Sequence, residues 1–70
     1  MDAYIIPGIF GNKICKVKVM GNGLYLITRD NLLMGYIRKD NGGWMLEEQV
    51  QEELNSENVQ LIGEKIDKRR

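Results

Sequence analysis

The chain has 70 residues, ten of them basic and ten acidic, with 43% hydrophobic and 29% charged side chains. That length specifies one domain spanning residues 1–70, and a domain this small buries only about 60% of the surface its unfolded chain exposes, too little to wall a deep, dry active site. The chain contains no histidine and a single cysteine, so it lacks the commonest general base near neutral pH, an internal disulfide and a CxxC…CxxC zinc site.

No catalytic residue, metal, cofactor or small-molecule substrate is therefore expected. Nothing approaches the roughly 18 apolar residues of a membrane-spanning helix. The run Ala3-Tyr4-Ile5-Ile6 is too short for a signal-peptide core. With one cysteine in so small a domain, the expected location is the reducing cytoplasm.

The charge is balanced overall but unevenly placed. Residues 1–40 carry six basic and three acidic side chains, net +3. Residues 41–57 carry five glutamates and no base, net −5. Residues 58–70 carry four bases and two acids, net +2. The pattern reads as a basic sheet beside an acidic segment. The adjacent pairs Glu47/Glu48 and Glu52/Glu53 point in different directions on any regular element, so they read as a solvated charge run, not as acid–base carboxylates.

In chain order, strands are expected at about 4–10, 13–20, 24–29, 32–39 and 44–48. They are separated by Gly11-Asn12, Asn22-Gly23, Asp30-Asn31 and Asn41-Gly42. Asn-Gly between apolar runs is the strongest short hairpin signal, because both central residues of a type I′ turn need φ > 0. Pro7 cannot donate to a ladder, so the first strand belongs at an edge. Its large apolar side chains, Tyr4, Ile5, Ile9 and Phe10, either fold over the core or leave an edge open to another chain. Residues 47–54 read equally well as a strand extension, a loop or a helical turn. A helix follows over about 56–69. Asn55 stands at its N-cap, Leu54 and Val59 at the positions of a hydrophobic staple, and Val59, Ile62 and Ile66 form its apolar stripe. Gly63 interrupts that helix at a cost of about 1 kcal/mol relative to alanine, which suggests close approach to the sheet.

Two-residue loops fix a register. They place Cys15, Val17, Val19, Leu24, Leu26, Leu33, Ile37, Trp44 and Leu46 on one face, nearly all apolar. Cys15 reads as a small buried hydrophobe and Trp44 as a lid over the helix. The opposite face then collects Lys16, Lys18, Met20, Tyr25, Ile27, Arg29, Leu32, Met34, Tyr36, Arg38 and Met45.

The expected fold is α+β: an antiparallel β-meander of four to five strands, about 4–48, with one C-terminal helix packed on one face. The helix stripe would sit on Val17, Val19, Leu26, Leu33, Ile37 and Leu46. The alternative is a small SH3-like barrel with the helix closing one end. The mixed aromatic and basic face suggests a non-enzymatic protein-interaction module that binds another protein or a second copy of itself, with Tyr25, Arg29, Met34, Tyr36 and Arg38 as contacts. The alternative function is single-stranded nucleic-acid binding by the same face, with Tyr25 and Tyr36 stacking bases.

Overall fold

The computed structural model describes residues 3–69. Five antiparallel strands form one open sheet in the order β1-β2-β3-β4-β5, followed by one C-terminal helix. The strands are β1 (Ala3–Ile6), β2 (Cys15–Gly21), β3 (Leu24–Arg29), β4 (Leu32–Asp40) and β5 (Gly43–Gln49), and the helix is α1 (Ser56–Arg69). The α+β meander is thus the architecture. β1 and β5 are the two edges and do not pair, so the barrel alternative is not formed.

The turn chemistry accounts for the three tight hairpins. Asn22-Gly23, Asp30-Asn31 and Asn41-Gly42 all have both residues at positive φ, as type I′ loops require. The first connection differs from the expected strand pair. β1 ends at Ile6, and the chain loops over residues 7–14 before Cys15 pairs with Ile6. The Gly11-Asn12 turn still forms within that loop, closed by Lys13 N–H donating to the Phe10 carbonyl at 3.0 Å. Phe10 folds inward and joins the core.

The register departs from the two-residue-loop expectation because three bulges interrupt the ladders. Gly21 faces Leu24, but Val19 faces Tyr25, so Met20 is the extra residue. Leu33 faces Thr28, but Gly35 faces Ile27, so Met34 is extra. Leu46 faces Ile37, but Glu48 faces Tyr36, so Glu47 is extra. A bulge places two residues of one strand against one of its neighbour and resets the alternation beyond it. The first two bulges act in opposition. Between them they invert β3 and the start of β4, and leave β2, the rest of β4 and the start of β5 as expected.

Tyr25, Ile27 and Met34 therefore point into the core, at 7%, 0% and 0% exposure. Leu24, Leu26 and Leu33, expected on the apolar inner face, lie on the outer side and are only half-buried. Gly35 permits the second bulge. It has φ +146°, and a Cβ there would lie 2.2 Å from the Glu48 carbonyl oxygen and 2.8 Å from a Leu54 methyl.

α1 forms as its signals indicate. The Asn55 side-chain oxygen accepts from Asn58 N–H at 2.9 Å, which makes Asn55 the N-cap. Leu54 and Val59, the staple pair, are both fully buried. Glu57 lies in the first turn and Lys68 and Arg69 in the last, complementing the helix dipole; Arg70 lies outside the described residues. The segment left open, 47–54, continues β5 to Gln49 and then turns. Val50 N–H and Gln51 N–H both donate to the Met34 carbonyl, at 3.0 and 3.1 Å.

Val59, Ile62 and Ile66 bury against Val17, Ile27 and Ile37 in a single core with Met34 and Leu54. Trp44 is the hinge of this packing. A Cβ at Gly63 would come within 2.3–2.5 Å of its indole ring, so the helix backbone rests directly on the ring. The indole N–H donates to Asp67 at 3.1 Å, and Gln60 donates to the Trp44 carbonyl at 2.9 Å. The Tyr25 ring packs against the indole at 5.2 Å between centroids. At the far end of the helix, the Arg69 guanidinium stacks on the Tyr4 ring of β1 at 4.1 Å.

Gly63→Ala separates two opposing effects. Helix propensity alone would stabilise the chain by about 1 kcal/mol. Overpacking against Trp44 costs about 1–3 kcal/mol. Denaturant unfolding is expected to show a net loss of stability; a net gain would mean that the contact is slack.

Candidate outer-face binding surface

The helix covers one side of the sheet, so the other is the candidate surface. Ladder pairing fixes its rows. One row runs Ile5, Lys16, Thr28, Leu33, and the next runs Ala3, Lys18, Leu26, Tyr36, Glu48. A third holds Leu24, Arg38 and Met45. An antiparallel sheet facing water on one side ordinarily alternates apolar-in with polar-out. Here the central outer positions are instead Leu24, Leu26, Leu33 and Tyr36, all half-buried by their neighbours alone. Ile5, Met20 and Met45 flank them at 53%, 46% and 49% exposure.

Charge on this surface is polarised across the strands. Lys16 and Lys18 stand on β2, both exposed. Glu47 and Glu48 stand on β5. Arg38 lies between the apolar centre and the acidic edge. Its Nε donates to Glu47 at 2.9 Å, and its Nη1 donates to the Asn22 carbonyl at 3.1 Å. The pair is partly exposed, so it orients the guanidinium more than it stabilises the fold.

Of the five contact residues expected from the sequence, Tyr36 and Arg38 lie on this face. Tyr25 and Met34 lie in the core, because the bulges at Met20 and Met34 invert their strands. Arg29 faces Cys15 and so shares the inner side, where its guanidinium pairs with Glu53 in the turn before α1. The sequence reading missed Leu24, Leu26 and Leu33, which it placed in the core. The available signal was a glycine beside each inverting bulge, Gly21 and Gly35, since isolated glycine in a strand often marks one.

The remaining surfaces are less developed. A shallow cleft of about 240 Å³ lies between Ile5, Ile14, Lys16, Asp30 and Asn31. Asp30 is engaged there, accepting from Ile14 N–H at 2.9 Å. An open depression of about 330 Å³ lies beside Trp44 and is bordered by Gln60, Leu61, Glu64 and Asp67. Among the described residues no cluster of three or more cysteine or carboxylate side chains is arranged to hold a metal ion, and no helix is long and apolar enough to cross a membrane. No family model matches the chain, and no match to it was found among curated proteins or solved structures.

Cys15 is fully buried, and desolvation raises its thiol from 9.0 to about 11. Because the folded pKa lies above the unfolded one, the thiol's contribution to stability is complete below about pH 9 and is lost as pH rises through about 11. Cys15→Ala is therefore expected to shallow the alkaline fall in unfolding free energy across that window. In the wild type, alkylation by iodoacetamide near pH 8 is expected only as the chain unfolds. Rapid labelling of the folded chain would contradict this placement.

Proposed function

We propose that the protein is a non-enzymatic interaction module that binds a protein through its outer sheet face. The observation supporting this is the apolar group Leu24, Leu26, Leu33 and Tyr36, spread over three neighbouring ladder rows on the side of the sheet that no helix covers. Such a face gains by further burial, at about 25 cal/mol per Å² of apolar surface removed from water. Tyrosine, methionine and arginine are residue types enriched where proteins meet, and Tyr36, Met20, Met45 and Arg38 are the examples here. In this reading Leu26 and Tyr36 supply the buried area at the centre, and Arg38 fixes orientation through its hydrogen bonds.

The geometry of the face favours a protein over a nucleic acid as the ligand. A single-strand platform drew on two stacking aromatics, and Tyr25 is in the core against Trp44. Tyr36 alone is left on the outer face, beside Glu48. The module is expected to act as a binder, in the cytoplasm.

The double variant Tyr36→Ala/Arg38→Glu tests the reading. Both side chains lie outside the core, so the thermal midpoint should change little. Association, read by light scattering and by affinity capture of partners from cell extract, should be lost. Unchanged association in a folded double variant would refute the assignment of this face.

A further inference from the structure

We propose that the occupant of the outer face is a second copy of the chain, related by a two-fold axis parallel to β3. The inference rests on the outer face being a protein-binding surface, and adds the identity and orientation of what it binds.

The row Lys18, Leu26, Tyr36, Glu48 carries the argument. A two-fold axis along the central strand keeps each row level with itself and reverses the strand order. β2 then lies over the partner's β4, β3 over the partner's β3, and β1 over the partner's β5. Leu26 meets its own copy on the axis. Lys18 stands over the partner's Tyr36, with the partner's Glu48 one strand further along. The same contacts recur on the other side of the axis, so each isologous interface satisfies the row twice.

Charge supports this operator over the alternative face-to-face one. An axis perpendicular to the strands would lay β2 on β2 and set Lys16 and Lys18 against lysine, an arrangement that costs affinity. The axis along β3 instead brings a basic half over an acidic half. Both operators give the nearly aligned strands that stacked sheets prefer, within about 30° of each other, so charge decides between them. The chain as a whole has no net charge, so long-range repulsion does not oppose pairing.

Charge reversal tests the arrangement. Wild-type chain should sediment at twice its 8.1 kDa mass with an affinity that weakens as salt is added. Lys18→Glu and Glu48→Lys should each weaken self-association at least about tenfold, equivalent to about 1.4 kcal/mol. Mixed in equal amounts, the two variants should recover a heterodimer, because each supplies the charge the other lacks. Both positions are exposed, so both variants are expected to fold, which circular dichroism melts check.

A wild-type chain that stays monomeric up to about 1 mM overturns the proposal. So does a dimer indifferent to both reversals, or a mixture that recovers nothing. A monomer whose capture of a different protein is abolished by Tyr36→Ala/Arg38→Glu would reject the second copy and keep the face as a protein-binding surface. A monomer whose captured partners ignore that double variant would reject both.

Discussion

The contact between the Trp44 indole and the Gly63 backbone organises this protein. A 14-residue helix can shield only one side of a five-stranded sheet, and this contact decides which side and how closely. The absence of a Cβ lets the helix axis approach an aromatic ring that any other residue would hold away. Hydrogen bonds from Trp44 to Asp67 and from Gln60 to Trp44 fix the ring in that position. Lys39 also reaches this corner, donating to Asp67 at 2.7 Å with its ammonium 5.0 Å from the indole ring. The helix is thus tied to β5 near its middle and reaches β1 through Arg69 and Tyr4. Everything on the opposite side of the sheet remains uncovered.

Which side chains occupy that uncovered side is decided by the bulges. Tyr25 is brought inward to pack beside Trp44, and Ile27 and Met34 fill the space beneath the helix. Three leucines go outward in exchange. The inward set has the larger and more adaptable side chains: a tyrosine to meet an indole, and a methionine to fill an irregular gap. The exchange improves the core and leaves the outer face more apolar than a solvated antiparallel face requires. A small domain with one covering element cannot bury both sides by itself, and association is a common way for such domains to gain core volume.

The polarity of the outer face would give such an association a direction. Lys18 on β2 and Glu48 on β5 stand in the same ladder row, with Leu26 and Tyr36 between them. Such a row is complementary to its own reversed copy. The acidic segment that looks like a mere solvated run in the sequence becomes, at Glu47 and Glu48, one side of a surface. Glu53 serves differently, holding Arg29 beside the turn into the helix.

Much of the architecture is written in local sequence. Asn-Gly and Asp-Asn turns set three hairpins because their backbones accept positive φ. Pro7 ends β1 after Ile6. Asn55, Leu54 and Val59 start the helix where capping and stapling groups coincide. Gly63 signals close packing, since nothing else justifies a glycine in mid-helix. These are short-range effects, complete within a few residues. The faces of β3 were not decided there. Leu24-Tyr25-Leu26-Ile27 is apolar at every position, so alternation is silent about which parity points inward, and a two-residue turn at each end is compatible with either. The choice was made by long-range packing. The bulges at Met20 and Met34 form because they bring Tyr25 to Trp44 and let Gly35 lie against Leu54 and the β5 backbone. Tyr36 and Arg38 lie beyond both bulges, where the expected alternation is restored, and so their place on the open face was legible. Tyr25 and Met34 lie within the inverted segment, and only the assembled core could place them.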